Sequence, residues 1–143
     1  MIVALALVVA AFYSGAALYV NLVEKPALLA LDDRAALIGW KIALKRGAVI
    51  QAPLCAIGFA LGLIAWLHLR DIGNAVGALA MLANIPWTVA LILPINRQLL
   101  AIAPEAADAG SRALLLRWYS RHTMRSALGL IALIFFLLAL LAL

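Results

Sequence analysis

Residues 118–143 read WYSRHTMRSALGLIALIFFLLALLAL, and this stretch decides the fold. No charged residue follows Arg125, so residues 126–143 form one uncharged and predominantly apolar run. A helix of this length and composition matches the hydrocarbon thickness of a bilayer. The stretch therefore predicts a membrane-spanning helix that is entered through a polar segment containing Trp118, His122 and Arg125.

Working back from this stretch, the chain contains three more apolar runs, so that four spans are predicted: residues 2–23, 47–69, 75–93 and 122–143. The 143 residues are 69% hydrophobic and 12% charged, and the mean hydropathy is +1.16. These values exceed what the core of a soluble domain requires. The sequence predicts an all-α membrane protein in which residues 1–143 form a single domain, an up-and-down bundle of four transmembrane helices.

The connections between the spans differ in character. Pro26 is expected to kink or restart the helix after the first span, because proline cannot donate a backbone hydrogen bond. Residues 27–41 form an amphipathic segment that is expected to lie at the membrane interface or to cap the bundle. Residues 95–121 are predicted to form a helical cytoplasmic connection before the fourth span. Within the third span, Asn84 and Pro86 predict a locally opened helix.

The basic residues predict the orientation in the membrane. Five Lys and Arg residues lie between spans one and two, one lies between spans two and three, and five lie between span three and the uncharged part of span four, of which Arg125 is the last. The positive-inside rule places both termini outside and the polar cluster at the cytoplasmic face, of the inner membrane if the source is bacterial. The net charge of +5 does not predict a nucleic-acid partner, since the basic residues flank apolar runs. The lipid bilayer is the expected environment.

The spacing Trp118-x-x-x-His122-x-x-Arg125 places three polar side chains on one stripe of a helix. If the stripe faces the bundle, it offers an aromatic surface, a group that titrates near neutrality and a permanent cation. Such a trio could bind and deprotonate an acidic aromatic molecule. The alternative is an interfacial belt, with tryptophan at headgroup depth and arginine on phosphates. The spacing alone favours the belt.

Further polar residues fall at the same end of the predicted bundle: Asn21, Glu24, Gln51 and Asn96. An asparagine at membrane depth is costly without a hydrogen-bond partner, so Asn21 and Asn96 indicate a polar pocket shared with Trp118 and His122. Glu24 is either a base or an ion-pair partner of a nearby arginine, Arg46 or Arg125. Pairing is favoured, because unpaired carboxylates at such depth are rarely retained.

No metal site is predicted, because the only two histidines, His68 and His122, are assigned to opposite membrane faces. The single cysteine, Cys55, lies within an apolar run and is interpreted as a small buried residue. Two small-residue motifs, Gly58-x-x-x-Gly62 and Gly73-x-x-x-Gly77, indicate close helix packing. That packing is either within the bundle or between the protomers of a homo-oligomer.

In these residues and their order, the chain resembles the anthrone oxygenase-like family of small four-helix membrane proteins. The resemblance rests on three features in order along nearly the whole chain: Asn21 followed by Pro26, Pro94-x-Asn96, and Trp118-x-x-x-His122-x-x-Arg125. It implies a cofactor-free oxygenase that converts an anthrone-like or phenolic polycyclic substrate to a quinone. The protein would remove an acidic proton and hold the resulting anion while the anion reduces O2.

On this interpretation, the chemistry of the side chains suggests a role for each member of the polar cluster. His122 would be the base, Arg125 the group that stabilises the anion, and Asn96 a hydrogen-bond partner in the reaction. Trp118 would stack against the substrate, and three further residues would contact it: Asn21, Glu24 and Gln51. Neither a metal nor an organic cofactor is expected, and the expected ligands are a hydrophobic aromatic molecule and O2.

Two other classes of function stay open. The chain could be a lipid-binding or quinone-binding membrane protein without turnover, or a small structural subunit of a membrane complex. Catalysis predicts a closed pocket beside His122, and a binding protein predicts a groove open laterally to lipid. A structural subunit predicts no pocket and an exposed face of small residues.

Overall fold

The structure is a computed structural model that describes all of residues 1–143 and contains helices and turns but no strand. The α-helices are α1 (Ile2–Tyr19), α2 (Lys25–Leu29), α3 (Asp33–Leu69), α4 (Ile72–Trp87), α5 (Leu93–Ala101) and α6 (Ala109–Leu141). A π-helical turn at Val20–Glu24 joins α1 to α2, and a second at Thr88–Ile92 joins α4 to α5. A single 3-10 turn, Pro104–Ala106, precedes α6.

These elements form four continuous apolar rods, each long enough to cross a membrane: Ile2–Leu29, Asp33–Leu69, Ile72–Ala101 and Ala109–Leu141. Each rod packs against two neighbours, so that α1 contacts α3 and α6, and α4 contacts the same two helices on the other side. The predicted all-helical fold with four membrane-spanning helices is confirmed. The chain is an integral membrane protein.

Two rods extend further than the predicted spans. Helix α3 has 37 residues, about 55 Å at 1.5 Å per residue, which exceeds a hydrocarbon core of about 30 Å. It begins at Asp33, where the Asp32 side chain accepts a hydrogen bond from the Ala35 backbone N–H. The segment predicted to lie at the interface, residues 27–41, is therefore mostly the first part of α3. The connection predicted before the fourth span likewise belongs in large part to α6.

The physical reason for the longer helices is that their apolar faces find partners outside the span. Leu37 and Trp40 of α3 are fully buried in a cluster with Leu99 of α5 and Leu115 of α6. Burial of such side chains stabilises a helix more than interfacial adsorption would. We call this end of the bundle, which carries residues 30–32 and 102–108, the polar end.

Ion pairs and hydrogen bonds join the connections at the polar end. The Arg112 guanidinium forms an ion pair with Asp33 and donates to the backbone carbonyls of Leu29 and Leu31. Lys41 Nζ donates to the carbonyl of Leu100 at 3.2 Å. The positively charged groups thus satisfy carbonyls at helix ends that have no partner within their own helix.

The two π turns occupy equivalent places in the sequence, because each ends two residues before a proline. Glu24 precedes Lys25-Pro26, and Ile92 precedes Leu93-Pro94. In each case the residue before the proline donates its N–H five positions back, to the carbonyl of Val20 or of Thr88. Pro26 therefore widens the helix before it rather than breaking the rod.

In the third rod, the helix widens at Thr88–Ile92 and not at Asn84 itself. Asn84 stays within α4 because its side-chain amide donates to the Ala80 carbonyl at 3.1 Å. The predicted opening thus lies shortly after Pro86. Single π turns inserted between α-helices are frequent at functional sites, and both turns in this chain lie near the polar end.

The glycines of the two small-residue motifs face the inside of the bundle. The Phe136 ring of α6 lies between Gly62 and Gly77, and a Cβ at these glycines would come within 2.6 Å and 2.5 Å of it. Gly58 packs against the Met81 side chain in the same way. The alternative in which these faces join protomers is therefore not supported, since the bundle itself occupies them.

We expect Gly77→Ala to destabilise the bundle by about 1–3 kcal/mol, because the added methyl group overpacks the Phe136 site. The matched control is Gly15→Ala, since a Cβ at this exposed position meets no atom within 4 Å. Thermal unfolding in mild detergent measures both variants. Equal melting temperatures for the two variants would contradict the proposed packing.

Candidate functional site

A cavity of about 430 Å³ lies between the four rods toward the polar end. Both π turns contribute to its wall, together with the middle of α3 and the polar part of α6. Most of the lining is apolar, and small residues such as Gly47 and Ala48 leave the space open. The polar or ionisable side chains that line it are Glu24, Gln51, Cys55, Asn84, Thr88, Asn96, Trp118, His122 and Arg125.

The Trp118 and His122 rings form one wall of the cavity. Their centroids are 5.0 Å apart and their planes differ by 25°, as the spacing of four residues along α6 allows. Trp118 Nε1–H donates to Asn96 Oδ1 at 2.6 Å, which links α6 to α5. The Trp40 ring packs edge-on against Trp118 from behind, with the centroids 5.6 Å apart. Both rings of the stack are thereby held in place.

Asn21 contacts the His122 imidazole at Nδ1 and lies outside the cavity lining. Its side-chain nitrogen Nδ2 lies 3.3 Å from the Ala17 carbonyl, 2.7 Å from Ser126 Oγ and 3.3 Å from His122 Nδ1. Asn21 is not among the residues that line the cavity. The sequence analysis expected it to contact the substrate, whereas the structure places it behind the imidazole, because the first π turn directs its side chain toward α6.

Arg125 reaches the cavity beside His122 and has no acidic partner. Its Nε donates to the Tyr13 hydroxyl at 3.1 Å, and its guanidinium lies over the Tyr13 ring. Tyr13 in turn donates to Asn84 Oδ1 at 2.8 Å. This chain of contacts joins α1, α4 and α6 within the apolar part of the bundle and leaves the terminal guanidinium nitrogens without a partner in the protein.

Tyr13 was not predicted as a site residue, and Asn84 was predicted only to open the helix and not to contact the site. Both were treated as parts of apolar spans, although each is buried, with exposed fractions of 0% and 1%. A signal was present for Tyr13, because the buried residues of α1 recur every three or four positions, at Val3, Ala6 and Ala10. The tyrosine falls on that face and its hydroxyl therefore needs a partner inside the bundle.

Glu24 lines the cavity from the first π turn, and its Oε1 accepts a hydrogen bond from the Tyr119 hydroxyl at 3.1 Å. The favoured sequence interpretation was an ion pair with Arg46 or Arg125. The two ion pairs of the structure are Arg34 with Glu105 and Arg112 with Asp33. Glu24 forms no ion pair with either expected arginine, because it lies on the Tyr119 side of α6.

Gln51 contributes an unsatisfied acceptor. Its side chain lines the cavity and is only 5% exposed, and its Oε1 has no hydrogen-bond partner. A buried amide oxygen without a partner costs about 1–3 kcal/mol relative to a satisfied one. The oxygen is therefore available to a hydroxyl or N–H group of a ligand.

The cavity reaches the surface of the bundle between α3 and the third rod. Its lining includes four exposed residues of the apolar zone: Ala48 and Ala52 of α3, Ile85 of α4 and Val89 of the second π turn. This opening faces the hydrocarbon of the membrane, while several polar lining residues are buried: Gln51, Asn84, Asn96 and His122. The geometry combines the two alternatives of the sequence analysis, a closed pocket beside His122 and a groove open to lipid.

The other residues with possible chemistry lie elsewhere or have structural partners. His68 is exposed at the opposite end of α3. The Cys55 thiol donates to the Met81 carbonyl at 2.8 Å. No group of three His, Cys, Asp or Glu side chains is arranged to hold a metal ion.

The profile of a family described as "Anthrone oxygenase" matches residues 40–135, about two thirds of the chain. No curated protein and no solved structure matches the chain. The matched range contains most of the polar lining of the cavity, and Glu24 lies before it.

We expect Asn96→Leu to destabilise the bundle by about 1–3 kcal/mol, because the Trp118 indole N–H loses its acceptor. In a Trp118→Phe background, which has no indole N–H, the same substitution should cost much less. Unfolding of the two single variants and the double variant in detergent gives the coupling free energy. Additive effects would show that this hydrogen bond contributes nothing to stability.

Proposed function

This chain belongs to the anthrone oxygenase family, and on that premise we propose that it is a cofactor-independent oxygenase of the membrane. The substrate would be an anthrone-like or phenolic polycyclic molecule that is dissolved in the bilayer. The reaction with O2 would take place in the cavity between the four rods, where polar groups are enclosed and the opening faces lipid.

The reaction balances without a further redox partner. A base removes a proton from the methylene group between the rings, and the electron pair is delocalised onto the ring oxygen. The anion gives one electron to O2, and the resulting radical and superoxide combine to a peroxide. Loss of water from the peroxide leaves a quinone, so one oxygen atom enters the product and the other leaves as water.

The observation that carries this proposal is the environment of Arg125. A guanidinium inside a membrane bundle is costly without a counter-charge, and no carboxylate pairs with this one. Its terminal nitrogens have no partner in the protein, and the residue lines the cavity next to His122. An oxyanion that develops on a substrate would meet a preorganised cation there.

The other polar residues suit the same reaction. Asn96 accepts from Trp118 through Oδ1, and its amide nitrogen has no protein partner, so it is free to donate to the substrate. The Trp118 face would stack on a flat ring system, and Gln51 Oε1 would accept from a phenolic hydroxyl. The volume of about 430 Å³ falls within the range of about 300–1,000 Å³ for ligand pockets.

We also propose that the polar end faces the cytoplasm and that both termini lie outside. The support is the positive-inside rule, since ten of the eleven Lys and Arg residues lie in the two connections at or near the polar end. A substrate would then react near the cytoplasmic interface.

One observation favours a second candidate, a lipid-binding or quinone-binding protein without turnover. The opening between Ala48, Ala52, Ile85 and Val89 leads directly to hydrocarbon and would admit a membrane-dissolved quinone as readily as an anthrone. Binding of a quinone together with an absence of O2 uptake for every anthrone tested would favour this candidate. A purely structural subunit does not account for the cavity.

We expect the purified, chelator-treated protein to consume O2 in the presence of anthrone, and His122→Ala and Arg125→Ala to reduce the rate by about 100-fold or more. Each variant removes a group that lines the cavity, while the fold keeps its apolar core. Oxygen-electrode traces and quinone absorbance measure the rate.

The matched control for the histidine variant is His68→Ala, because His68 is exposed at the opposite end of the bundle. Its rate should equal that of the wild type. Full activity in both His122→Ala and Arg125→Ala would rule out the proposed site.

We expect Gln51→Leu to leave thermal stability unchanged or higher, because it removes a buried acceptor that has no partner. The same variant should bind a hydroxylated anthraquinone about tenfold more weakly, as the loss of roughly 1.4 kcal/mol implies. An anthraquinone without hydroxyl groups is the control ligand. Equal weakening for both ligands would contradict a hydrogen bond to Gln51.

A further inference from the structure

We infer that His122 presents Nε2–H to the cavity as a hydrogen-bond donor, and that the Glu24 carboxylate is the group that takes the proton from the substrate. This inference rests on the proposed oxygenase function and deepens it, because it replaces His122 as the base. It begins from the contacts of Asn21, a residue that does not line the cavity.

The Asn21 amide has one possible orientation. Its terminal atom lies 3.3 Å from the Ala17 carbonyl, which can only accept, so this atom has to be the nitrogen Nδ2. The same nitrogen lies 2.7 Å from Ser126 Oγ, which accepts from it. The amide oxygen lies on the other side, near the Thr123 hydroxyl at 3.4 Å.

This orientation decides which nitrogen of the imidazole carries the proton. His122 Nδ1 lies 3.3 Å from Asn21 Nδ2, which is a donor only. A proton on Nδ1 would point one donor at another, whereas a lone pair on Nδ1 can share an N–H of the amide, because Nδ2 has two N–H bonds for the three acceptors around it. The neutral ring therefore carries its proton on Nε2. Nε2 has no hydrogen-bond partner within the protein, and His122 lines the cavity.

With this tautomer, His122 belongs to the hydrogen-bond donors of the cavity and not to its acceptors. The donors are His122 Nε2–H, the Arg125 guanidinium and the free amide nitrogen of Asn96. With its one lone pair held by Asn21, the imidazole has none to offer the substrate. Its N–H and the guanidinium are both suited to an oxyanion.

The remaining ionisable groups near the cavity, apart from Glu24, are also committed as donors. Cys55 donates to the Met81 carbonyl, and Tyr13 donates to Asn84. Tyr119 donates to Glu24 Oε1. Among these groups only the Glu24 carboxylate has an unused acceptor, since its Oε2 has no partner in the protein.

The contacts of Glu24 suit a general base. It lines the cavity, and no cation pairs with it and holds it in the ionised form. The substrate C–H proton would pass to a Glu24 oxygen, and the electron pair would stay on the substrate as an oxyanion held by His122 and Arg125. After the anion has reduced O2 and the peroxide anion has formed, protonated Glu24 returns its proton to the outer peroxide oxygen. The Glu24 carboxylate then takes the second proton of the methylene carbon as the C=O bond forms and the O–O bond breaks, and passes it to the departing hydroxide, which leaves as water.

The histidine tautomer can be measured without any turnover. The chain has two histidines, and the exposed His68 can be replaced by Gln, so that ¹⁵N-histidine labelling reports His122 alone. In detergent micelles, the ¹⁵N shifts and ring-proton couplings should show a protonated Nε2 and an unprotonated Nδ1. In Asn21→Leu this preference should be lost. A protonated Nδ1 in the parent protein would overturn the inference, whether or not the protein is an oxygenase.

Substitutions at His122 and Glu24 test which group accepts the substrate proton, because they can remove a basic atom while keeping a hydrogen-bonding group. His122→Gln places an amide N–H near the position of Nε2–H and has no basic atom, whereas His122→Ala removes the donor. Glu24→Gln keeps an oxygen for Tyr119 but cannot take a proton. Anthrone mixed with each protein without O2 reports proton removal through the absorbance of the anion, and admission of O2 reports oxygenation.

We expect His122→Gln to retain at least a tenth of the wild-type rate of anion formation and Glu24→Gln to lose about 100-fold or more. Melting temperatures near that of the wild type show that both variants are folded. Anion formation by Glu24→Gln at the wild-type rate, or a rate for His122→Gln as low as that of His122→Ala, would overturn the inference.

The two measurements, anion formation without O2 and oxygenation after O2 is admitted, also distinguish failure of this inference from failure of the proposed function. Wild-type protein that forms the anion but consumes no O2 would refute the oxygenase function and leave Glu24 as the base. Oxygenation that is unimpaired in Glu24→Gln would keep the function and refute Glu24 as the base. Neither anion nor O2 uptake in the wild type would refute both.

Discussion

A polar group inside an apolar bundle has to find its partner on a neighbouring helix, because neither lipid nor water is there to supply one. In this protein that constraint organises the interior. The Asn21 amide joins α1 to α6, and the Tyr13 hydroxyl joins α1 to both α4 and α6. The Trp118 indole joins α6 to α5. These few hydrogen bonds fix the rotation of the helices about their axes, which packing of similar aliphatic side chains would specify poorly.

The two prolines that follow the π turns help to place polar residues around the cavity. A proline removes one backbone donor, and the chain before it relaxes into a wider turn. At Val20–Glu24 the turn directs Asn21 behind the imidazole and leaves Glu24 on the cavity wall. At Thr88–Ile92 it lines the opposite wall. Hydrogen-bonded polar groups thus support the site, and two groups with unused hydrogen-bonding capacity, Gln51 Oε1 and the terminal nitrogens of Arg125, belong to residues that line the cavity.

Much of this arrangement was accessible from the sequence. The apolar runs identify four spans, and Asn96 together with the later motif of Trp118, His122 and Arg125 identifies the end of the bundle at which polar groups gather. The family resemblance is confirmed by the match over residues 40–135. Tyr13 was missed, and Asn84 was not assigned to the site, because hydropathy averages a single polar residue into its apolar surroundings. The ends of the helices were placed too close to the membrane, since a span pattern ignores burial against α5 and α6 beyond it.

Length and hydropathy act locally along the chain, so the amino-acid sequence was enough to predict a membrane environment, four spanning helices and the end of the bundle at which polar residues gather. The contacts of each polar side chain depend on the tertiary structure. Asn21 lies 101 residues from His122 in the chain and Tyr13 lies 112 residues from Arg125, and no local pattern encodes such a contact. Which group faces the cavity and which supports it depends on how the four helices are rotated against one another, and hydrogen bonds between residues far apart in the sequence set that rotation.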